Sequence, residues 1–240
     1  MARGAHQPSV LPIWQRDLLS ARNPPRITYN HPEFDKDKDI VEWQTIIGSI
    51  ENMIERFFFF GPTEIASLRC LILNNNHQLG EEYTRFELIT ACLWYCLAKA
   101  LQLPPEKEVR MCCVVNGRER FNPPMPIGYY GNVISFPAAV TIVKKFCEDP
   151  FECVVTRIGF RKVDFGWGNA VYGGVTGANN SFGEMILMDY ENSNGEEGVL
   201  IPIYLPADAM KRFAKELDDM LRNPNQTLKS GNKYQLKSTL

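Results

Sequence analysis

The feature that most constrains this chain is a helix with both of its ends written into the sequence. Thr84-Arg85-Phe86-Glu87 fits a capping box, in which the threonine hydroxyl takes one orphan amide and the glutamate reaches back to another. Phe86, Ile89, Leu93, Leu97 and Ala100 then recur at helical spacing until Pro104-Pro105 forbids continuation. Around this helix other patterns predict a mixture of elements. Residues 53–60 are rich in apolar and aromatic side chains and read as a buried strand. Gly61-Pro62 opens a second helix, with proline at the first helical position and Glu64 in the first turn. Val109, Met111, Cys113 and Val115 alternate as in a half-buried strand, and residues 133–141 predict another. Residues 185–190 and 199–204, joined by a polar turn holding Asn194-Gly195, predict a hairpin. Residues 207–222 predict an amphipathic helix with Met210, Phe213, Ala214, Leu217 and Leu221 on one face. The residues alone therefore give α/β or α+β.

At 240 residues the chain can form one large domain or two small ones. Apolar residues at 45% and charged residues at 22% are ordinary for a soluble globular protein. The net charge of −2 provides no global field to recruit nucleic acid or an anionic membrane. Residues 1–10 lack the apolar stretch of a signal peptide, and no run approaches membrane-spanning length, so a cytoplasmic location is expected. The sequons at Asn179 and Asn225 are read as coincidental in that setting. Seven dispersed cysteines sit mostly in apolar runs, where a thiol behaves as a small core hydrophobe. Cys92 and Cys96 are one helical turn apart, but no histidine or second cysteine pair completes a zinc site, so no metal is expected. Residues 7–32 are broken by Pro8, Pro12, Pro24, Pro25 and Pro32 and leave room for only a short helical stretch at 14–21. Residues 122–131 read as a rigid proline-rich loop, and the chain beyond Arg222 as a polar tail.

The most specific motif is Asp164-Phe165-Gly166-Trp167-Gly168. Its first three residues match the magnesium triplet of protein kinases, but no Gly-rich loop, Val-Ala-Ile-Lys strand or His-Arg-Asp loop accompanies them. As a local structure the pentapeptide reads as a tight turn, with glycines free to adopt positive φ and the tryptophan packing as an anchor. The whole pentapeptide resembles the signature loop of the plant BAHD acyltransferases, which move an acyl group from a coenzyme A thioester to an alcohol or amine. Asn116-Gly117-Arg118 leading into Asn122-Pro123-Pro124-Met125-Pro126 is similar to another stretch of that family, and Tyr129-Tyr130-Gly131-Asn132 to its Tyr-Phe-Gly-Asn motif. Phe86-Glu87 with Ala91-Cys92-Leu93-Trp94, Met1-Ala2-Arg3-Gly4-Ala5 and Leu11-Pro12-Ile13-Trp14 extend the resemblance over nearly the whole chain. Asn169, where shikimate- or quinate-acylating members often carry arginine, looks more like the alcohol acyltransferases of benzyl or aliphatic alcohols.

The resemblance implies the C-terminal domain of a two-domain, chloramphenicol acetyltransferase-like fold, a mixed sheet with flanking helices, here incomplete. On that basis residues 1–36 correspond to a remnant of the N-terminal domain and the inter-domain crossover, 37–222 to the C-terminal domain, and 223–240 to the tail. An internal segment is expected to be missing near 150–156, where Asp149-Pro150-Phe151-Glu152 passes almost directly into Val155-Thr156-Arg157. No permanently bound cofactor is implied; acyl-CoA is the co-substrate and an alcohol the acceptor. Intact members are usually monomeric, whereas this shorter chain is expected to self-associate through uncovered apolar surface. Thr84, at a helix start suited to phosphate, is a candidate for coenzyme A contact; its bland reading is an ordinary cap. By resemblance Asp164 pairs with an arginine, Arg118 before Arg120; a solvated turn aspartate is the alternative.

The family's chemistry runs through a His-x-x-x-Asp motif, the histidine acting as general base on the acceptor hydroxyl. This chain has only His6, His31 and His77. His31-Pro32-Glu33-Phe34-Asp35 fits the pattern, but it lies downstream of Met1 to Ala5, whereas the family motif lies upstream of that stretch. His31 and Asp35 are accordingly read as a chance match, and the catalytic histidine as absent. The expected outcome is an acyltransferase of recognisable class that is inactive alone, or a remnant that binds acyl-CoA or interferes with an intact relative.

Overall fold

The computed structural model describes residues 7–21, 23–25, 52–73, 83–119, 121, 123–158 and 185–222. The pentapeptide 164–168, His6, His31, Asp35, His77, Asn169, both sequons and the tail beyond Arg222 lie outside the described residues. In chain order the elements are a 3-10 turn (Arg16–Leu19), β1 (Met53–Phe60), α1 (Pro62–Leu73), α2 (Arg85–Leu101), β2 (Glu108–Cys112) and β3 (Val115–Asn116). Then follow β4 (Ile134–Ser135), β5 (Ala138–Ile142), α3 (Val143–Glu148), α4 (Phe151–Ile158), β6 (Met188–Glu191), β7 (Glu197–Pro206) and α5 (Ala207–Arg222). The class is mixed α and β.

The capping box forms as the sequence predicts. The Glu87 amide donates to Thr84 Oγ1 at 3.2 Å, and the Thr84 amide donates to Glu87 Oε2 at 2.7 Å. At the far end Gln102 takes a left-handed conformation and Arg212 donates to the Ala100 carbonyl at 2.7 Å, so a cation from α5 meets the negative end of α2. Between these caps α2 is buried well beyond the expected stripe. Leu88, Ala91, Cys92, Trp94 and Cys96 are buried although they lie off it, while Phe86 and Leu97 on it are only partly covered. The reason is enclosure: α1, α3, α4 and α5 all pack on α2, so little of its surface is left for water.

β7 is the centre of a three-stranded antiparallel sheet, β1-β7-β6. Its alternate residues Val199, Ile201, Ile203 and Leu205 are buried, as are Met210, Phe213 and Leu217 of the following helix α5. Phe58 of β1 meets the fully buried Phe213 ring edge-on at 5.2 Å, and Trp94 meets Phe146 at 4.3 Å. The β6–β7 turn forms at the predicted place, with Gly195 at φ +76°.

Two expectations need correction. β1 spans the predicted residues but is not buried, since Phe57 is 54% exposed. Only its Phe58 and Phe60 side turns toward the helices, because alternate strand residues face opposite ways. The single strand expected through 109–115 is instead two, β2 and β3, and residues 133–141 likewise split into β4 and β5. The breaks face each other across one ribbon: β2 pairs β5, β3 pairs β4, and the Cys113 amide donates to the Pro137 carbonyl between them at 3.2 Å. Proline lacks the amide that would continue the ladder.

Candidate functional site

Arg118 leaves the ribbon just after β3. The Gly117 amide donates to the Val133 carbonyl at 2.8 Å, and the Arg118 amide to Asn116 Oδ1 at 3.1 Å, which sets the turn. From there the guanidinium reaches across the proline-rich loop. Nη1 donates to the Tyr129 carbonyl at 2.8 Å and Nη2 to the Gly131 carbonyl at 2.6 Å. Two carbonyls two residues apart match the rigid fork of an arginine, which offers each its own nitrogen, where a lysine has a single one. The Arg118 carbonyl in turn accepts from the Met125 amide at 2.9 Å, so the loop is tied at both ends of one residue. The Tyr129 ring is buried beneath the clamp, 6.0 Å from the guanidinium carbon, while Tyr130 is exposed.

The N-terminal segment docks on the same loop. Ile13 forms a parallel bridge with Tyr129, its amide donating to the Gly128 carbonyl at 2.9 Å and its carbonyl accepting from the Tyr130 amide at 2.9 Å. Trp14 lies 4.5 Å from the Tyr130 ring. Gly128 is required here. Its φ is +94°, and a Cβ would sit 2.5 Å from the Leu11 carbonyl oxygen.

Of the residues singled out in the sequence, Arg118, Tyr129 and Gly131 thus come together, with Asn132 next in the chain. The partner expected for Arg118, Asp164, lies outside the described residues; the bonds its fork makes here go to backbone carbonyls. Thr84 is not part of this clamp's hydrogen bonds: its amide and hydroxyl are both engaged with Glu87, the bonds of a helix cap. Sequence reasoning quoted Ile13 and Trp14 but gave them no partner. The signal available was an apolar run, Leu11-Pro12-Ile13-Trp14, inside a segment otherwise broken by prolines.

A second polar cluster lies at the C-terminal end of α2. Lys99 sits 4.6 Å over the Tyr95 ring and pairs with Glu216 at 3.1 Å. Burial opposes the Lys99 charge, yet Tyr95 and Glu216 together raise its pKa above the ordinary lysine value. Burial pushes the Tyr95 phenol up, and likewise the Cys147 thiol. The Cys96 thiol, 3.6 Å from the Met220 sulfur, is driven well up by burial and by its neighbour Cys92. Among the described residues no group of three or more His, Cys, Asp or Glu could hold a metal. Nor, among the described residues, is any helix long and apolar enough to cross a membrane.

The ordered run of motifs around this clamp has a counterpart in known proteins: the model of the Transferase family matches residues 1–159 and 153–220. The chain belongs to the BAHD transferase family. This BAHD chain is 39% identical over 272 residues to a benzyl alcohol O-benzoyltransferase of Petunia hybrida, covering 94% of this chain and 57% of that one. A benzyl alcohol O-benzoyltransferase of Nicotiana tabacum is 41% identical, with 92% and 56% covered. An alcohol acyl transferase of Malus domestica is 34% identical, with 95% and 58% covered. The BAHD chain therefore spans little more than half the length of these relatives. Among solved structures, vinorine synthase aligns with a TM-score of 0.49 at 20% identity, over 70% of this chain and 48% of that one.

Proposed function

We propose that this chain is the C-terminal portion of an acyl-CoA-dependent alcohol acyltransferase that forms an ester, and that residues 1–240 alone do not catalyse the reaction. The observation that carries the first half is the likeness to two benzyl alcohol O-benzoyltransferases at 39% and 41% identity across nearly the whole chain. Esterification needs a base to take the hydroxyl proton and donors to hold the developing oxyanion. Arg118 serves neither role. Its fork is spent on the Tyr129 and Gly131 carbonyls, which makes it a residue that shapes the loop. An acyl-CoA and a neutral alcohol, aromatic or aliphatic, are the substrates this reading assigns.

The second half rests on the histidines. His31 is the sole histidine followed by aspartate at the family spacing, and it stands on the wrong side of the Met1 to Ala5 stretch. A shortened C-terminal domain, residues 37–222, is supported by two features of the likeness. The alignment with the petunia protein runs over 272 residues, more than the chain's own 240, so the relative has residues without counterpart here. The family model matches in two pieces that meet at 153–159, beside the expected deletion near 150–156. The same deletion favours the second reading, a non-catalytic remnant that binds acyl-CoA or interferes with an intact relative.

The test is direct. The purified chain is incubated with benzoyl-CoA and benzyl alcohol, and benzyl benzoate is measured by gas chromatography. No ester is expected; any ester above the protein-free background would overturn the proposal of inactivity, and its loss in His31→Ala would make His31 the base. Separately, a longer version with an upstream in-frame His-x-x-x-Asp should form ester from some acyl-CoA and alcohol pair. Failure with every pair tried, in a folded protein that still binds coenzyme A, would sink the acyl-transfer reading.

A further inference from the structure

We propose that residues 10–19 form a strap that docks on the Arg118-clamped loop and leaves it as a unit, without unfolding of the α2 core. The strap has almost no stake in that core. Val10, Leu11, Trp14, Leu18 and Leu19 are all exposed, with Leu11 at 70%, and Ile13 alone is partly covered. Among the described residues, what holds the strap is small and local: two backbone hydrogen bonds of 2.9 Å at Ile13 and one ring contact between Trp14 and Tyr130. Segments with few buried contacts open locally, at free energies well below that of global unfolding.

The receiving side, in contrast, is fixed. Arg118 holds the carbonyls of Tyr129 and Gly131, and this orients the Tyr130 amide between them toward the Ile13 carbonyl. Gly128 leaves the gap through which Leu11 passes, and a Cβ there would also lie 2.9 Å from Val10 Cγ1. Arg118 and Gly128 thus make one half of a latch whose other half is the strap. Undocking frees the Tyr130 amide and ring and the Gly128 carbonyl, beside the loop that carries the family motif. The inference stands on these contacts and does not depend on the acyl-transfer reading.

Native-state hydrogen exchange on the full chain, resolved at the Ile13 and Tyr130 amides, tests it. Both amides should be protected, show one common protection factor once intrinsic exchange rates are divided out, and be at least about 100-fold less protected than the central amides of α2, as expected for sub-global opening. Gly128→Ala should abolish the protection of both and leave α2 unchanged. Protection of the two amides equal to that of α2, separate protection factors for the two, or no protection in the unaltered chain would each overturn the proposal. So would full protection in Gly128→Ala. If that variant fails to fold, the protection factors in the unaltered chain decide the question by themselves.

Discussion

Around α2, side chains such as Leu88, Ile89 and Cys96 have no exposed surface, whereas around Arg118 the strap and loop leave Leu11 70% and Ile127 85% exposed. The first region is held mainly by apolar contact with the helices packed around it. The second is held by aimed hydrogen bonds from one guanidinium and by a backbone bridge. The family's motif residues are split between the two. Ala91, Cys92 and Trp94 fill the core, while Tyr129 and Gly131 belong to the clamp. Stability should therefore answer to the core, and the shape of the candidate site to the clamp.

The largest effect should follow from Phe213→Ala, which empties a wholly buried site against Phe58. Its cost should be about 3–5 kcal/mol in urea unfolding, as for other buried aromatics cut to alanine. Next comes an alkaline effect. Burial first, and the neighbouring Cys112 second, push the Cys113 thiol from 9.0 up to about 12. An unfolded Cys113 sheds its proton near 9.0 while the folded one keeps it to about 12, so stability should fall as pH rises through that window. The slope is about 1.4 kcal/mol per pH unit for one such group. Cys113→Ala should flatten the curve there by about one group's share; an unchanged slope would remove Cys113 as its source. Cys96 and Lys99, also raised in the folded state, add to the same loss at high pH.

Thr84→Ala should cost about 1 kcal/mol through the lost cap, with Thr84→Ser restoring most of it. Glu216→Gln, which breaks an ion pair with each side chain 30% exposed, should cost less than about 1 kcal/mol after solvent screening. A large loss there would show that polar contacts support the core more than the comparison allows.

What was legible in the sequence follows the same division. α5 occupies residues 207–222 as its periodicity predicts, and the capping box and the β6–β7 turn form where their residues stand. Those signals are local: a cap, a turn and a period are each settled within a few residues. The burial of β1 was misread because composition does not say how many faces of a strand will be covered. The break of the ribbon at Cys113 and Pro137 was missed because it depends on which residues face each other across two strands. Likeness to the family pointed to this loop but not to the bonds within it. Arg118 takes backbone carbonyls, which every residue offers, so no residue type marks them as partners.

The comparison rests most heavily on Arg118, and the measurement that tests it is Arg118→Ala followed in two ways on one sample. Urea unfolding read by far-ultraviolet circular dichroism reports the core, and amide exchange at Met125, Tyr130 and Ile13 reports the loop and the strap. The account predicts a midpoint unchanged within error and lost protection at all three amides, with Arg118→Lys failing to restore it. A midpoint that falls as far as that of Phe213→Ala, or three amides as protected as before, would contradict it.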